Sequence, residues 1–174
     1  MPLMGVKRSS RRYASARLER LARSLLNAST LCAISTVAPN GRAYINAAYF
    51  AWSPSFDIIW YSARQAQHSR NLERNGAAAV VVFDSHQTWG NPDRGIMMFG
   101  SAQAQRGKAA TEAEQLYARR FRRYDGDGSP DFPFYRFRPQ RVKLFHERAL
   151  GAGTFVTARN RAGRLLWETT DIYE

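Results

Sequence analysis

The sequence has one cysteine, three histidines and only 14 acidic residues in 174. A lone Cys32 excludes an internal disulfide, and its place in the apolar run LCAISTV makes it a small buried hydrophobe. No Cys, His and carboxylate spacing of a metal centre occurs, no Ser-His-Asp set has the surroundings of a hydrolase motif, and the scattered carboxylates form no acid–base pair. No run approaches the roughly 18 apolar residues of a membrane span, and the first residues lack the apolar core of a signal peptide. A soluble, cytoplasmic protein without membrane contact is therefore expected. Internal repeats and domain linkers are also missing, so the chain reads as a basic arm over residues 1–13 and one domain over 14–174.

Basic charge is what the chain has in excess. Its 26 Lys and Arg give a formal charge of +12, and the pI is about 10.7. Such a balance implies an anionic partner: nucleic acid, a membrane surface or a phosphorylated ligand. The basic residues lie in the N-terminal arm, near Arg119 to Arg123, and between Arg136 and Arg148. No nucleic-acid motif accompanies them, which makes a non-enzymatic anion- or nucleic-acid-binding module the minor reading.

Periodicity divides the chain into short elements. Leu18, Leu21, Leu25 and Leu26 predict a helix from Ser15 to about Asn27 with one narrow apolar stripe. Strands follow at Leu31–Ala38 and Ala43–Trp52, joined by Pro39-Asn40-Gly41-Arg42, a strong hairpin signal because Asn-Gly supplies positive φ. Further strands are predicted at Phe56–Ser62, Ala77–Phe83, Gly95–Gln105, Tyr135–Arg138, Arg141–Glu147, Thr154–Ala158 and Leu165–Trp167. A second long helix spans Lys108–Tyr124, stopped by Asp125-Gly-Asp-Gly-Ser-Pro, a loop that lacks the alternating ligands and closing Glu of a calcium site. Many short strands with a few helices imply a mainly β fold, an antiparallel barrel whose edges are covered. Ala43–Trp52 is apolar on both faces, and one subunit's interior covers only one of them, so a homodimer is expected.

The stretch IIWYSARQAQHSRNLERNGAAAVVVF, from Ile58 to Phe83, reads as strand, short basic helix, strand. Arg64, His68 and Arg70 fall within seven residues where the strand ends and the helix begins. Unpaired N–H groups and the positive dipole end of a helix start suit an anion such as a phosphate. His86 and Trp89 in the long loop and His146 in VKLFHER are read as packing or surface residues.

The leading helix, LCAISTVAPNGRAYINAAYFAW, then IIWYSARQAQHSRNLERN, AAVVVF, a strand ending in FGSAQ, and FRPQRVKLF together resemble the pyridoxamine 5′-phosphate oxidase-related FMN-binding split barrels, from about Leu21 to Glu147. The resemblance implies a six-stranded antiparallel split barrel of FMN-binding type and a homodimer with each flavin between subunits. It places Tyr61 and Ser62 at the cofactor phosphate and ribityl chain, Gln67 and His68 where many members carry a basic pair, and Tyr44, Asn46 and Tyr49 near the ring, with Arg64 or Arg70 able to serve the phosphate. The implied activity is an FMN-dependent oxidoreductase acting on a small organic substrate, with a deazaflavin-dependent reductase of the same fold as alternative. Gly95 and Met97 stand where the oxidases tend to carry Gln and Arg, and the C-terminal tail lacks a clear match to their Arg-His pattern, which argues against pyridoxamine phosphate as substrate.

Overall fold

The computed structural model describes residues 5–126 and 129–173. In chain order the elements are β1 (Val6–Ser9), α1 (Ser15–Asn27), β2 (Leu31–Val37), β3 (Ala43–Tyr49), β4 (Ala51–Trp52), β5 (Ile58–Tyr61), α2 (Gln67–Arg74), β6 (Ala77–Phe83), β7 (Arg94–Ala104), α3 (Lys108–Arg120), β8 (Phe134–His146), α4 (Glu147–Leu150), β9 (Thr154–Arg161) and β10 (Arg164–Tyr173). The strands form one antiparallel sheet in the order β1-β10-β9-β8-β7-β6-β2-β3, with β4 on β5 and β5 on β8. The mainly β, antiparallel expectation with flanking helices holds. The sheet does not close, because β1 and β3 end its path without meeting, and its described residues supply ten strands where the resemblance implied six.

β8 is the spine. Along one edge it pairs with β7 over its whole length; along the other it pairs first with β5, over Phe134–Phe137, and then with β9, over Arg141–Phe145. The change of partner falls at Pro139, which has no N–H to donate, and at a register shift between Phe99 and Gly100. Gly100 is obligatory there, since a Cβ would run into the carbonyl of Arg138. Splitting the sheet at this point wraps it around a core of Ile34, Val80, Val82, Met98, Val142, Leu144, Val156, Trp60 and Phe137. α1 covers that core through Leu18, Ala22, Leu25 and Leu26. α3 makes a second, smaller cluster on the outer face of β5, where Ala113 and Tyr117 bury Ile59, Ala51 and Phe134.

Several boundaries differ from the expectation for physical reasons. Residues 6–9, expected in a flexible basic arm, form a strand on β10, where Arg8 meets Asp171 at 2.6 Å. Farther along, Arg11 and Arg17 donate to the carbonyls of Leu150 and Ala149. The exposed edge of β10 offers a ladder that the polar segment VKRS does not advertise. The expected strand Ala43–Trp52 breaks at Phe50, whose ring is fully buried beneath the Arg120 guanidinium at 4.5 Å, and β4 leaves β2 to join β5. The two strands expected on either side of Pro139 are one. The Asn-Gly hairpin is as expected, with Gly41 at φ +78° and Asn40 Oδ1 accepting from the Arg42 N–H. α3 ends at Arg120 rather than Tyr124, and residues 127–128 of the Asp-Gly loop lie outside the described residues. Cys32 is buried, which pushes its thiol pKa up to about 12.

Candidate functional site

The turn from β5 into α2 is tied down before it offers anything to a ligand. The Ser62 N–H donates to the Pro133 carbonyl and the Arg64 N–H to the Asp131 carbonyl, so the strand end is stitched to the segment leading into β8. Arg64 Nε also reaches the Pro130 carbonyl at 2.8 Å. α2 then starts after Ala66 with no side chain capping its first turn, which leaves its leading N–H groups for solvent or an anion.

A polar chain runs from that helix into the sheet. Arg70 donates to Gln67 Oε1 at 3.1 Å, Gln67 Nε2 donates to Asn71 Oδ1 at 2.9 Å, and Asn71 Nδ2 donates to Thr36 Oγ1 at 3.0 Å. Asn71 and Thr36 are both fully buried. Their bond anchors α2 near the end of β2, and the exposed end of the chain, Arg70, is thereby oriented through Gln67 and Asn71. His68 points the other way. Its ring meets Tyr135 edge-on at 6.4 Å, and its Nε2 is buried without a hydrogen-bond partner. Burial holds its pKa below the ordinary imidazole value, so the neutral ring is favoured in the free protein.

Pleating divides the three β3 residues between two faces. Tyr44 and Asn46 stand opposite Thr36 and Ile34, on the face that looks toward α2 and the core. Asn46 Oδ1 is buried there with no donor. Tyr49 lies on the other face, edge-on to Phe121 at 5.9 Å. Tyr61 joins it from β5, meeting Tyr117 at 5.3 Å and Tyr124 at 5.4 Å. Tyr49, Tyr61, Tyr117, Phe121, Tyr124 and Arg123 enclose a hollow of about 230 Å³. Burial and neighbouring tyrosines push the Tyr117 hydroxyl up to about 12, so it stays a neutral donor.

The structure thus gathers Tyr44, Asn46, Gln67, His68 and Arg70 around α2, and places Tyr49 and Tyr61 in the aromatic hollow, with Ser62 at the strand end between. The donor types available at and just before α2 suit a phosphate: main-chain N–H groups, the Ser62 hydroxyl and the Arg70 guanidinium. Asn71 and Thr36 escaped sequence reasoning, because a polar residue in NLERN carries no local sign of complete burial. Arg120 escaped as well: among the charges of RRFRR it alone turns inward, donating to the Leu26 and Ser29 carbonyls and so locking α3 to the end of α1. Tyr117 and Phe121 were visible as the apolar stripe of a helix.

Elsewhere a minority of the basic side chains is ion-paired. Arg136 lies beside Asp57 at 3.4 Å, Arg141 and Arg159 share Glu168, and Arg94 faces Asp84. Among the described residues no group of three or more His, Cys, Asp or Glu is placed to hold a metal, and no helix is long and apolar enough to cross a membrane.

Comparison with known proteins agrees with this fold. A heme-binding protein of Mycobacterium smegmatis superposes with a TM-score of 0.69 at 17% identity, covering 88% of this chain and 61% of its own. The chain thus spans about three-fifths of that relative's length. The heme storage protein HutZ of Vibrio cholerae gives 0.55 at 17% identity, covering 74% and 91%. A Listeria innocua protein provisionally assigned as a pyridoxamine 5′-phosphate oxidase gives 0.59 at 13% identity, covering 73% and 97%. No protein of curated function matches the sequence. The sequence model of pyridoxamine 5′-phosphate oxidase matches residues 18–146, most of the chain, and the protein therefore belongs to the pyridoxamine 5′-phosphate oxidase family.

Proposed function

We propose that the chain binds FMN and acts as a flavin-dependent oxidoreductase on a small organic substrate, as a homodimer with the cofactor at the subunit boundary. The observation that carries this reading is the uncapped start of α2, a few residues after Ser62 ends β5, on a helix whose Arg70 and Gln67 are held by the chain that ends at the buried Asn71–Thr36 bond. Arg70, with Arg64, supplies the charge for the phosphate, and His68 lies beneath the same turn. Tyr44 and Asn46 face the ring, the open Asn46 Oδ1 offering an acceptor to a ring N–H. Tyr49 and Tyr61 line the separate aromatic hollow. The bound flavin supplies the hydride chemistry; the protein binds, orients and desolvates. Support for the dimer comes from β3, the last strand of the sheet, where Ile45 is 74% and Tyr49 57% exposed on a strand with no outer neighbour among the described residues.

The test is a fluorescence titration with FMN. Saturable quenching at micromolar concentration is expected, weakened about tenfold or more by Arg70→Ala, the loss of one charge-assisted contact. Absence of binding removes the flavin reading. The deazaflavin coenzyme, a longer polyanion suited to the +12 charge, and hemin, the ligand class named for two structural neighbours, are titrated in parallel. Tighter binding of either one replaces FMN in the proposal. Sedimentation at micromolar concentration is expected to give twice the 19.8 kDa chain mass, and a monomer refutes a site shared between subunits.

A further inference from the structure

The bend in β8 creates a second concavity on the outer face of the sheet, at the β7–β9 end, lined by no residue of α2 or β3. Its volume is about 470 Å³, and Phe99, Gln140, Arg141, Arg159, Asn160 and Arg161 line it, with Gly100 as floor. Register accounts for the grouping. Phe99 of β7, Arg141 of β8, Arg159 of β9 and Leu166 of β10 are successive cross-strand partners, so their side chains stand in one row on one face. Gln140 is the extra residue of the bulge, skipped in the pairing of β8 with β7.

Two features distinguish this row from ordinary surface charge. First, it is pre-organised. A register shift between Trp167 and Thr169 swings Glu168 out of the β10 ladder. Its two oxygens then accept from Arg141 Nε at 2.7 Å and Arg159 Nε at 2.8 Å. One carboxylate thus holds two guanidiniums side by side, Arg141 through Nε and Arg159 through both Nε and Nη2, the latter also at 2.8 Å, which leaves the two terminal nitrogens of Arg141 and Nη1 of Arg159 for a ligand. Second, the charges do not cancel. Three arginines against one carboxylate leave +2, because Arg161 has no ion-pair partner among the described residues. The rim also carries an aromatic surface, since Phe99 is 44% exposed. Asn160 cannot be recruited as ligand, because its amide is committed to the Ser55 and Pro139 carbonyls and the Gly163 N–H. It serves instead to fix the loop that carries Arg161.

We propose that this hollow is an anion site for a phosphate monoester carrying a planar base, of mononucleotide size, separate from the cofactor site. The guanidiniums of Arg141, Arg159 and Arg161 take the phosphate, whose charge of about −2 at neutral pH matches the uncompensated +2. Phe99 stacks on the base, and the volume lies within the range of small-ligand pockets.

The probe is AMP, titrated calorimetrically into the protein without FMN and again in FMN excess. One AMP per chain is expected at submillimolar affinity, equal in both titrations. Arg161→Ala is expected to weaken AMP and inorganic phosphate alike, by about tenfold or more; Phe99→Ala weakens AMP and leaves phosphate unchanged. Both side chains are exposed, and an unchanged thermal midpoint shows that the variants fold. Lack of saturable AMP binding, or binding indifferent to Arg161→Ala, overturns the proposal. So does displacement of AMP by FMN, which makes the two sites one. Binding of oligo-dT with a steep salt dependence, in the absence of AMP binding, assigns the face to a nucleic-acid strand instead. The FMN-free titration stands by itself, so failure of the flavin reading leaves this test intact.

Discussion

Thr36→Val isolates the bond that anchors α2. Valine has nearly the shape of threonine, so no cavity forms, and β2 keeps a β-branched residue suited to a strand. What disappears is the acceptor for Asn71 Nδ2, 3.0 Å away in a place where both residues have no solvent exposure. An amide N–H left buried without an acceptor costs about 1–3 kcal/mol. A chain of this length loses about 2–4 °C of melting temperature per kcal/mol, so a drop of about 2–12 °C is expected in a thermal scan monitored by circular dichroism. The double variant Thr36→Val/Asn71→Leu tests the cause. Removing both partners leaves no orphaned donor, and Gln67, which is exposed, finds water in place of Asn71. The double variant should therefore be less damaged than the sum of the two single variants. FMN affinity of Thr36→Val should also fall, because Gln67 and Arg70 hang from the same chain. A melting temperature within 1 °C of wild type, or strictly additive damage in the double variant, refutes the anchoring role.

Protonation of His68 gives two further readouts. Burial lowers its folded-state pKa below the unfolded value of about 6.5, so the unfolded chain binds more protons in that window and stability is lost as pH falls through about 6.5. Denaturant melts at pH 5.5 and 7.5 should show a smaller loss in His68→Phe than in wild type; equal losses assign the effect to other groups, His146 among them. If the cofactor phosphate draws a proton onto His68, wild-type FMN affinity declines from pH 6 to pH 8.5 while His68→Ala stays flat, and equal affinities of the two proteins at both pH values assign the phosphate to Arg64 and Arg70. Gly100→Ala and Gly95→Ala should differ sharply. At Gly100 the new Cβ meets the main-chain carbonyl of Arg138, which cannot move without opening the β7–β8 ladder, whereas at Gly95 it meets the ring end of Phe145, which can swing away. Soluble yield and melting temperature should collapse for the first and drop modestly for the second; equal behaviour contradicts the close approach at the bend.

Local patterns were sufficient for the individual elements. Asn40-Gly41 specified a hairpin because its backbone requirement is met by those two residues alone. α2 (Gln67–Arg74) and β6 (Ala77–Phe83) are the short basic helix and the strand their composition predicts, since polarity changes abruptly between them. The basic turn before α2 was legible for the same reason: its charges and its helix start are neighbours in the chain. Closure, strand count and side-chain grouping were not local. Whether β1 forms at all depends on the free edge of β10, more than 150 residues away, and the breakage of the expected second strand at Phe50 depends on Arg120 arriving from α3. Only the tertiary structure separated Tyr49 from Tyr44 and Asn46 by the pleat, buried Asn71 against Thr36, and brought Phe99, Arg141, Arg159 and Arg161 to one hollow. Those groupings arise from strand register and from a bend at Pro139, and register is a relation between segments that no single segment contains.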